Sequence, residues 1–292
     1  MTVPVIRTLA ALRVQIAAWR NGGDDVALVP TMGALHEGHL ALVRLARRRC
    51  RRAIVSIFVN PTQFAPHEDF DRYPRDEAGD LAKLAGVGCD LVWSPDRALM
   101  YPAGFATRIV PAGAAEGLES LTRPHFFGGV ATVCCKLFMQ VAPDAAVFGE
   151  KDYQQLCVVR QMVRDLDLPL EIVGAATVRD ADGLALSSRN AYLSPDERRI
   201  APALYRAISR VAAAGPGGAP AAAERARADI LQAGFGKVDY VEVRDAETLA
   251  TPAPGTLRPL RVLAAAWLGK TRLIDNIAVE LRPQVAAGTS GR

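Results

Sequence analysis

Residues 26–39 (VALVPTMGALHEGH) constrain the fold of this chain more than any other stretch. A short apolar run ends at Pro30, a glycine-containing turn follows, and two histidines three residues apart begin a helix. The free backbone N–H groups and the dipole at a helix N-terminus attract an anion. Because positions i and i+3 share one helix face, His36 and His39 are predicted to project together towards that anion.

The size and charge of the chain exclude several classes of protein. Its 292 residues exceed what one compact core usually holds, so we expect two domains. The five cysteines form no C-x-x-C pair, which favours reduced thiols and a cytoplasmic location. The net charge of +4 suits anionic substrates without requiring nucleic acid. Arginines at positions 7, 13 and 20 argue against a signal peptide or membrane span at the N-terminus, and we expect no membrane partner.

Strands and helices are predicted to alternate over residues 1–178. The predicted strands cover residues 26–30, 53–59, 91–94, 145–148 and 170–178, with a further short strand at 107–110. The first helix is predicted over residues 5–20, and another follows the two histidines. Such alternation is typical of βαβ units and a parallel sheet. We therefore expect a Rossmann-like domain over residues 1–178.

The pattern changes after Val178. Strands are predicted at residues 238–244, 260–266 and 277–281 without helices between them, which indicates a small antiparallel sheet. Residues 212–223 are rich in alanine, glycine and proline and are interpreted as a loose connection between helices. The tail from Pro283 is predicted to be disordered. The fold class is thus α/β, with a Rossmann-like parallel sheet domain and a smaller α+β domain over residues 179–292.

Four polar clusters follow predicted strands or turns. They cover residues 31–39, 60–63, 149–155 and 186–190. In a parallel sheet the first three would lie along one edge, where open α/β sheets bind their ligands. Histidine, lysine and arginine are the groups that neutralise phosphate oxygens in phosphoryl or nucleotidyl transfer.

Other chemistries are less consistent with the sequence. The chain has no G-x-x-x-x-G-K-[ST] motif, and no G-x-G-x-x-G follows the first predicted strand, so a P-loop or a dinucleotide redox site is not indicated. A zinc protease helix needs histidines four residues apart, whereas His36 and His39 are three apart. The absence of G-x-S-x-G gives no indication of covalent catalysis. His67 and His125 receive no role from spacing.

Six segments carry a resemblance that extends over nearly the whole chain. They are residues 30–39 (PTMGALHEGH), 58–64 (FVNPTQF), 73–75 (YPR), 148–155 (FGEKDYQQ), 182–190 (DGLALSSRN) and 272–277 (RLIDNI). In this order they resemble the pantothenate synthetase family, which belongs to the cytidylyltransferase-like nucleotide-binding superfamily. His36 and His39 match the HIGH signature of that superfamily, and residues 186–189 resemble its KMSKS loop.

The resemblance implies a two-step ligase reaction. ATP and (R)-pantoate would form pantoyl adenylate and pyrophosphate, and β-alanine would then displace AMP to give pantothenate. It also implies a homodimer, and Mg²⁺ bridging phosphate oxygens with Asp80 as a candidate contact. A second domain closing over the site would hinge near residues 178–182.

Residue roles follow from the same resemblance. His39 would be the proton donor, with His36, Lys151 and Arg189 as the other catalytic residues. Pantoate would bind Gln63 and Gln155, and β-alanine would also contact Gln63. The residues expected to bind ATP are Met32, Gly33, Ala34, Leu35, His36, Glu37, Gly38, His39, Gly149, Glu150, Lys151, Asp152, Val178, Leu186, Ser187, Ser188 and Arg189.

Two segments depart from the family pattern. Leu186 stands where the family often has methionine, and an apolar contact to adenine survives that exchange. The family commonly has Arg-Pro-Gly-His-Phe-Arg-Gly where this chain has Arg-Pro-His-Phe-Phe-Gly-Gly at 123–129. His125 is therefore displaced by one position and is assigned no role.

Three alternatives compete with the ligase. A nucleotidyltransferase of the same superfamily would lack the two glutamines. A catalytically inactive nucleotide-binding module is disfavoured because His36, His39, Lys151 and Arg189 are all present. A class I aminoacyl-tRNA synthetase would need a tRNA-binding domain, for which the chain has no remaining length.

Overall fold

The apolar runs of the first half of the chain form one parallel sheet in the computed structural model, which describes residues 2–64, 70, 73 and 75–280. Its strands within these residues are β1 (Val5–Ile6), β2 (Val26–Thr31), β3 (Arg52–Ile57), β4 (Leu91–Trp93), β5 (Ala145–Gly149) and β6 (Glu171–Ala175). Their spatial order is β1-β4-β3-β2-β5-β6. The Rossmann-like fold class is confirmed.

Helices accompany this sheet, and the longer ones bury apolar side chains along one face. They are α1 (Leu9–Asn21), α2 (Glu37–Arg49), α3 (Glu77–Gly86), α4 (Arg97–Met100), α5 (Glu119–Thr122), α6 (Phe126–Val141) and α7 (Tyr153–Asp165). In α2, Leu42, Val43 and Ala46 are buried, whereas its arginines pair with acidic side chains such as Glu37, Asp90 and Glu171. The arginine side chains of α2 in these ion pairs are exposed or partly exposed.

The strand order creates a crevice at the carboxyl end of β2. The chain runs from β2 to β3 on one side, while β5 pairs with β2 on the other side. Ligands bind open α/β sheets where the strand order reverses in this way, outside the carboxyl ends of the strands. The residues that follow β2, β3 and β5 are therefore the candidates for a site.

Two local predictions in this half were wrong. Residues 107–110 form no strand, since the N–H of Ile109 donates to Thr132 Oγ1 (3.0 Å) instead of to a strand. The first helix begins at Leu9 rather than residue 5, because Thr8 caps it with its side chain and Val5–Ile6 pair with β4.

The described residues divide into two compact units between Ala191 and Tyr192, whereas the sequence predicts a boundary between 178 and 179. Residues 179–191 follow the predicted boundary and include part of the hinge that is expected near residues 178–182. They fold back on themselves, since Leu186 N donates to Val178 O (2.9 Å) and Asp180 N to Leu184 O (2.9 Å). A polar turn that bonds to its own preceding residues belongs to the unit that it follows.

The second unit contains three helices and a three-stranded antiparallel sheet within the described residues. The helices are α8 (Pro195–Ile200), α9 (Ala203–Ala213) and α10 (Gly215–Gln232); the strands are β7 (Lys237–Asp245), β8 (Leu260–Leu268) and β9 (Thr271–Ala278). Helix α8 begins after Ser194, whose side chain accepts a hydrogen bond from Glu197 N. The small antiparallel sheet was predicted correctly, although its last strand lies earlier than residues 277–281.

The prediction of a loose connection at 212–223 was wrong. Most of that stretch lies in α10, where alanine, the strongest helix former, outweighs the glycines and prolines. The predicted disorder beyond Pro283 concerns residues outside the described part of the chain. No helix in the described part is long and apolar enough to cross a membrane.

Two neighbouring glycines of α6 give a test of how this helix packs. A Cβ added at Gly129 would collide with the carbonyl oxygen of Thr62, whereas one at Gly128 would lie at an ordinary 3.5 Å from Ile109 O. We expect Gly129→Ala to lower the free energy of unfolding by about 1–3 kcal/mol through overpacking. Gly128→Ala should raise it by up to about 1 kcal/mol, because alanine is the better helix former. Urea unfolding measures both, and equal effects at the two positions would contradict the packing described here.

Candidate active site

The turn after β2 has a strained backbone held in a fixed shape. Gly33 and Ala34 both have positive φ angles, 82° and 52°. A non-glycine residue in this region costs energy, so the surrounding contacts must maintain it. Thr31 Oγ1 donates to Ser56 O (2.8 Å) and accepts from Gly33 N (3.3 Å). A Cβ at Gly33 would lie 3.2 Å from Asp80 Oδ2, so glycine also suits the space here.

Helix α3 fixes the peptide groups of Leu35 from both sides. Leu35 N donates to Asp80 Oδ1 (2.8 Å), and Lys83 Nζ donates to Leu35 O (2.8 Å). Asp80 and Lys83 are one helical turn apart and form an ion pair at 3.7 Å, with Asp80 almost wholly buried. Asp80, expected as a metal contact, thus supports the turn. Lys83 was missed, and its i,i+3 spacing from an acidic residue was the available signal.

Two imidazole rings lie together at the start of α2. The rings of His36 and His39 have centroids 4.1 Å apart. His36 Nδ1 accepts from Gly38 N (3.1 Å), and His39 Nδ1 accepts from His36 N (3.3 Å). Because a backbone N–H only donates, each Nδ1 must be unprotonated, so each neutral ring carries its proton on Nε2. The predicted pair is therefore present, as two Nε2–H donors.

The electrostatic surroundings keep both rings neutral. Burial, followed by the neighbouring His36, lowers the pKa of His39 to about 3. Burial and then the charge of Lys151 lower the pKa of His36 below its ordinary value. Lys83 acts in the same direction on both rings. Near neutral pH the two histidines are hydrogen-bond donors rather than cations.

The segment after β5 brings a lysine to this position. Glu150–Asp152 form a 3₁₀ turn, and the largely buried Lys151 lies 4.0 Å from Asp152 Oδ1. The influence of Lys151 on the histidine pKa values indicates that it faces the same space. The sequence prediction that the ends of β2 and β5 meet is thus supported by charge as well as topology.

Residues 186–190 lie beside the first turn of α2. Leu186 Cβ would be 3.8 Å from a Cβ added at Gly38. The loop is shaped by its own contacts, in which Arg189 N donates to Ser187 Oγ (3.3 Å) and Asn190 Nδ2 to Ala185 O (3.0 Å). Val178 joins it through the bond from Leu186 N. This loop and the histidine turn therefore line one region of the first unit.

The end of β3 supplies an amide pair. Asn60 Nδ2 donates to Gln63 Oε1 (2.7 Å), and both side chains are buried. Arg123 donates to the backbone oxygen of Gln63 (2.9 Å) and so fixes its main chain. Asn60 lay in a predicted cluster but was given no role, because sequence does not reveal which side chain it meets.

The two glutamines at the start of α7 differ in their contacts. Gln154 is buried and bonds to the backbone at Glu119 N and Ala114 O, each at 3.1 Å. Gln155, the residue predicted to bind pantoate, is only partly buried and so remains accessible. His125, to which the sequence assigns no role, is exposed at the start of α6, and His67 lies outside the described residues.

No group of three or more histidine, cysteine or acidic side chains suited to a metal occurs in the described part of the chain. Asp80 has one carboxylate oxygen committed to Leu35 N, which leaves Oδ2. A divalent cation would thus need most of its ligands from elsewhere.

Known proteins match the chain over nearly its whole length. The family model described as pantoate-beta-alanine ligase matches residues 4–278. A pantothenate synthetase of Caulobacter vibrioides is 60% identical over 284 residues, covering 96% of this chain and 100% of the relative. A pantothenate synthetase of Mesorhizobium japonicum is 60% identical, covering 94% of this chain and 97% of the relative.

Solved structures also match the chain over nearly its whole length. The pantothenate synthetase of Thermus thermophilus superposes with a TM-score of 0.88 at 48% identity, covering 95% of this chain and 99% of that one. A pantoate-beta-alanine ligase of Francisella tularensis, complexed with beta-gamma ATP and beta-alanine, gives a TM-score of 0.78 at 33% identity, covering 96% and 99%.

The lowered histidine pKa values predict how stability varies with pH. A ring that stays neutral in the fold but takes a proton when unfolded contributes stability above pH 6.5, and this is lost as the pH falls towards the folded pKa, about 3 for His39. Each such group adds a slope of up to about 1.4 kcal/mol per pH unit to the free energy of unfolding. His39→Asn, whose Oδ1 can replace the Nδ1 acceptor, should make the dependence between pH 6.5 and 4 shallower.

Urea unfolding at several pH values measures this slope. The exposed His125 offers a matched control, since His125→Asn removes a histidine without touching the turn. If both variants showed the slope of the parent protein, burial of a neutral His39 would be ruled out.

Proposed function

The chain belongs to the pantoate–β-alanine ligase family, and on that premise we propose that it condenses (R)-pantoate with β-alanine, using ATP, to form pantothenate. Pantoate is first activated as pantoyl adenylate with release of pyrophosphate, and β-alanine then displaces AMP. The observation that carries this proposal is the pair of neutral Nε2–H donors at the point where the strand order reverses.

The first step suits these residues because it needs no protein nucleophile. The carboxylate of pantoate attacks the α-phosphorus, so the protein must hold two anions together and stabilise the charge that moves onto phosphate oxygens. His36 and His39 donate hydrogen bonds to those oxygens, and Lys151 and Arg189 supply positive charge. Since no proton has to be transferred to pyrophosphate for the bond to break, His39 acts here as a hydrogen-bond donor rather than as the proton donor expected from the resemblance.

The remaining residues of the site provide the nucleotide and acid pockets. The turn from Met32 to His39, the segment 149–152, Val178 and the loop 186–189 bind ATP. Gln63 and Gln155 bind pantoate, and Gln63 also contacts β-alanine. The Francisella relative, which was solved with both an ATP compound and β-alanine, supports this assignment of substrates.

Mg²⁺ is proposed to arrive with ATP. It commonly binds one or two carboxylates, keeps several waters and takes its other ligands from substrate phosphates. Asp80 Oδ2, the carboxylate oxygen that is not bonded to Leu35 N, lies beside the turn and would be the protein contact. The metal would neutralise the charge of the phosphates.

A cytoplasmic homodimer is the form that we propose. All five cysteines are free thiols, which suits a reducing compartment. Val110, Leu121 and Met139 are large apolar side chains that are more than 60% exposed, and a second copy could cover such residues. We propose no nucleic-acid partner, because arginines of α2 pair with acidic side chains.

Product analysis separates the ligase from a nucleotidyltransferase. We expect AMP release from ATP and pantoate only when β-alanine is present, with one AMP and one pantothenate per turnover. Without β-alanine, pyrophosphate should appear in an amount close to that of the enzyme, because the adenylate stays bound. Sustained nucleotide transfer without β-alanine would favour the nucleotidyltransferase.

His39→Ala should lower the rate of adenylate formation by roughly 10²- to 10³-fold, the effect of losing one donor to the transition state. Rapid-mixing measurement of pyrophosphate release isolates this step. His125→Ala serves as the control and should stay within about twofold of the parent rate, since that ring is exposed at the start of α6. Adenylate formation at the parent rate without the His39 ring would remove this residue from the mechanism.

A further inference from the structure

The side chain of Asn60 lies at the centre of a hydrogen-bond network beside the first unit's crevice. Its Oδ1 accepts from Thr62 N (3.3 Å), from Thr62 Oγ1 (2.9 Å) and from the hydroxyl of Tyr101 (2.8 Å). Its Nδ2 donates to Gly129 O (3.2 Å) and to Gln63 Oε1 (2.7 Å). Asn60 is 1% exposed, so its hydrogen bonds come from the protein.

The orientation of this amide is unambiguous. A backbone N–H can only donate and a backbone carbonyl can only accept. The bond from Thr62 N therefore fixes Oδ1 on one side, and the bond to Gly129 O fixes Nδ2 on the other. The two ends of the Asn60 amide cannot be exchanged without breaking both bonds.

This orientation determines what Gln63 presents. Because Asn60 Nδ2 is a donor, Gln63 must turn its Oε1 towards it. The Nε2 group, with two N–H donors, then has no hydrogen-bond partner among the described residues. A carboxylate or hydroxyl of a small acid is the ligand chemistry that two amide N–H groups recognise.

Tyr101 reaches the network from a separate part of the chain, at the end of α4. Its ring lies between those of Phe58 and Phe105, with centroids at 6.1 and 5.2 Å. Burial raises the pKa of its hydroxyl, which therefore stays protonated and able to donate. Its bond to Asn60 Oδ1 is the shortest that this oxygen accepts.

We propose that Tyr101 is a positioning residue for the acid substrate, because its hydroxyl makes the shortest bond to Asn60 Oδ1 and so holds in place the amide, oriented by the main chain, that makes Gln63 present its N–H₂ group. This inference rests on the proposed function, in which Gln63 binds pantoate. Tyr101 need not touch any substrate, since it acts through two side chains.

A double-mutant cycle between Tyr101 and Gln63 tests the inference. Tyr101→Phe should raise the KM for pantoate about 3- to 10-fold, the effect of one hydrogen bond, and leave the KM for ATP within about twofold. In a Gln63→Ala background the same change should alter the KM for pantoate by less than about twofold, because the group that Tyr101 positions is gone. Phe105→Leu is the packing control, since it changes the neighbouring ring and keeps the hydroxyl.

The results of this cycle and of its control can each contradict the proposed role of Tyr101. An equal rise in both backgrounds, no rise at all, or a matching rise in the KM for ATP would overturn the inference. An equal rise in Phe105→Leu would assign the effect to ring packing and would overturn it too. If the parent protein released no pantoate-dependent AMP, the proposed function itself would fail, which distinguishes that result from a failure of Tyr101 alone.

Discussion

The peptide of Leu35 is the constraint on which the histidine site depends. Its N–H is held by Asp80 and its carbonyl by Lys83, while Gly33 and Ala34 just before it adopt positive φ angles. Such a backbone would relax if it were free, because the left-handed region is unfavourable for alanine. Fixing this peptide sets where α2 begins, and the start of α2 sets where both imidazole rings lie. Helix α3, which follows β3 in the chain, thus orients the residues that follow β2.

Neutral rings are an advantage in a site that is already positive. Lys83 and Lys151 both disfavour a charge on the histidines, so the neutral rings offer N–H donors to an anion without adding to cation repulsion. When phosphates enter, their negative charge favours protonation of the rings, yet Nε2–H is a donor in either state. The donors therefore need no change of protonation state to bind the substrate, and electrostatic stabilisation of this preorganised kind is usually a large share of catalysis.

The parts predicted correctly from the sequence are those that local patterns determine. The parallel sheet and the polar strand ends follow from apolar runs and the turns after them, and the resemblance added the family. Lys83 and Tyr101 were missed because their partners, Leu35 and Asn60, lie 48 and 41 residues away in sequence. The prediction for residues 212–223 was wrong because glycine and proline indicate a loop there, whereas the alanines around them favour the helix that forms. Contacts between segments that are distant in sequence leave no periodic pattern from which they could be predicted. A stretch that mixes alanine with glycine and proline is compatible with either a helix or a loop.

The histidine half of the site (His36 and His39) and its amide half (Asn60 and Gln63) are oriented in the same way. An imidazole has two tautomers and a side-chain amide has two nearly equivalent orientations, so either group alone leaves its donor undetermined. In both halves a backbone group that has only one role resolves the choice, as Gly38 N does for His36 and Gly129 O does for Asn60. Gly129 can bring its carbonyl that close because a side chain there would collide with Thr62. The N–H donors of both halves therefore have directions that the main chain has already decided, and that geometry depends on these glycines as well as on the histidine and amide side chains.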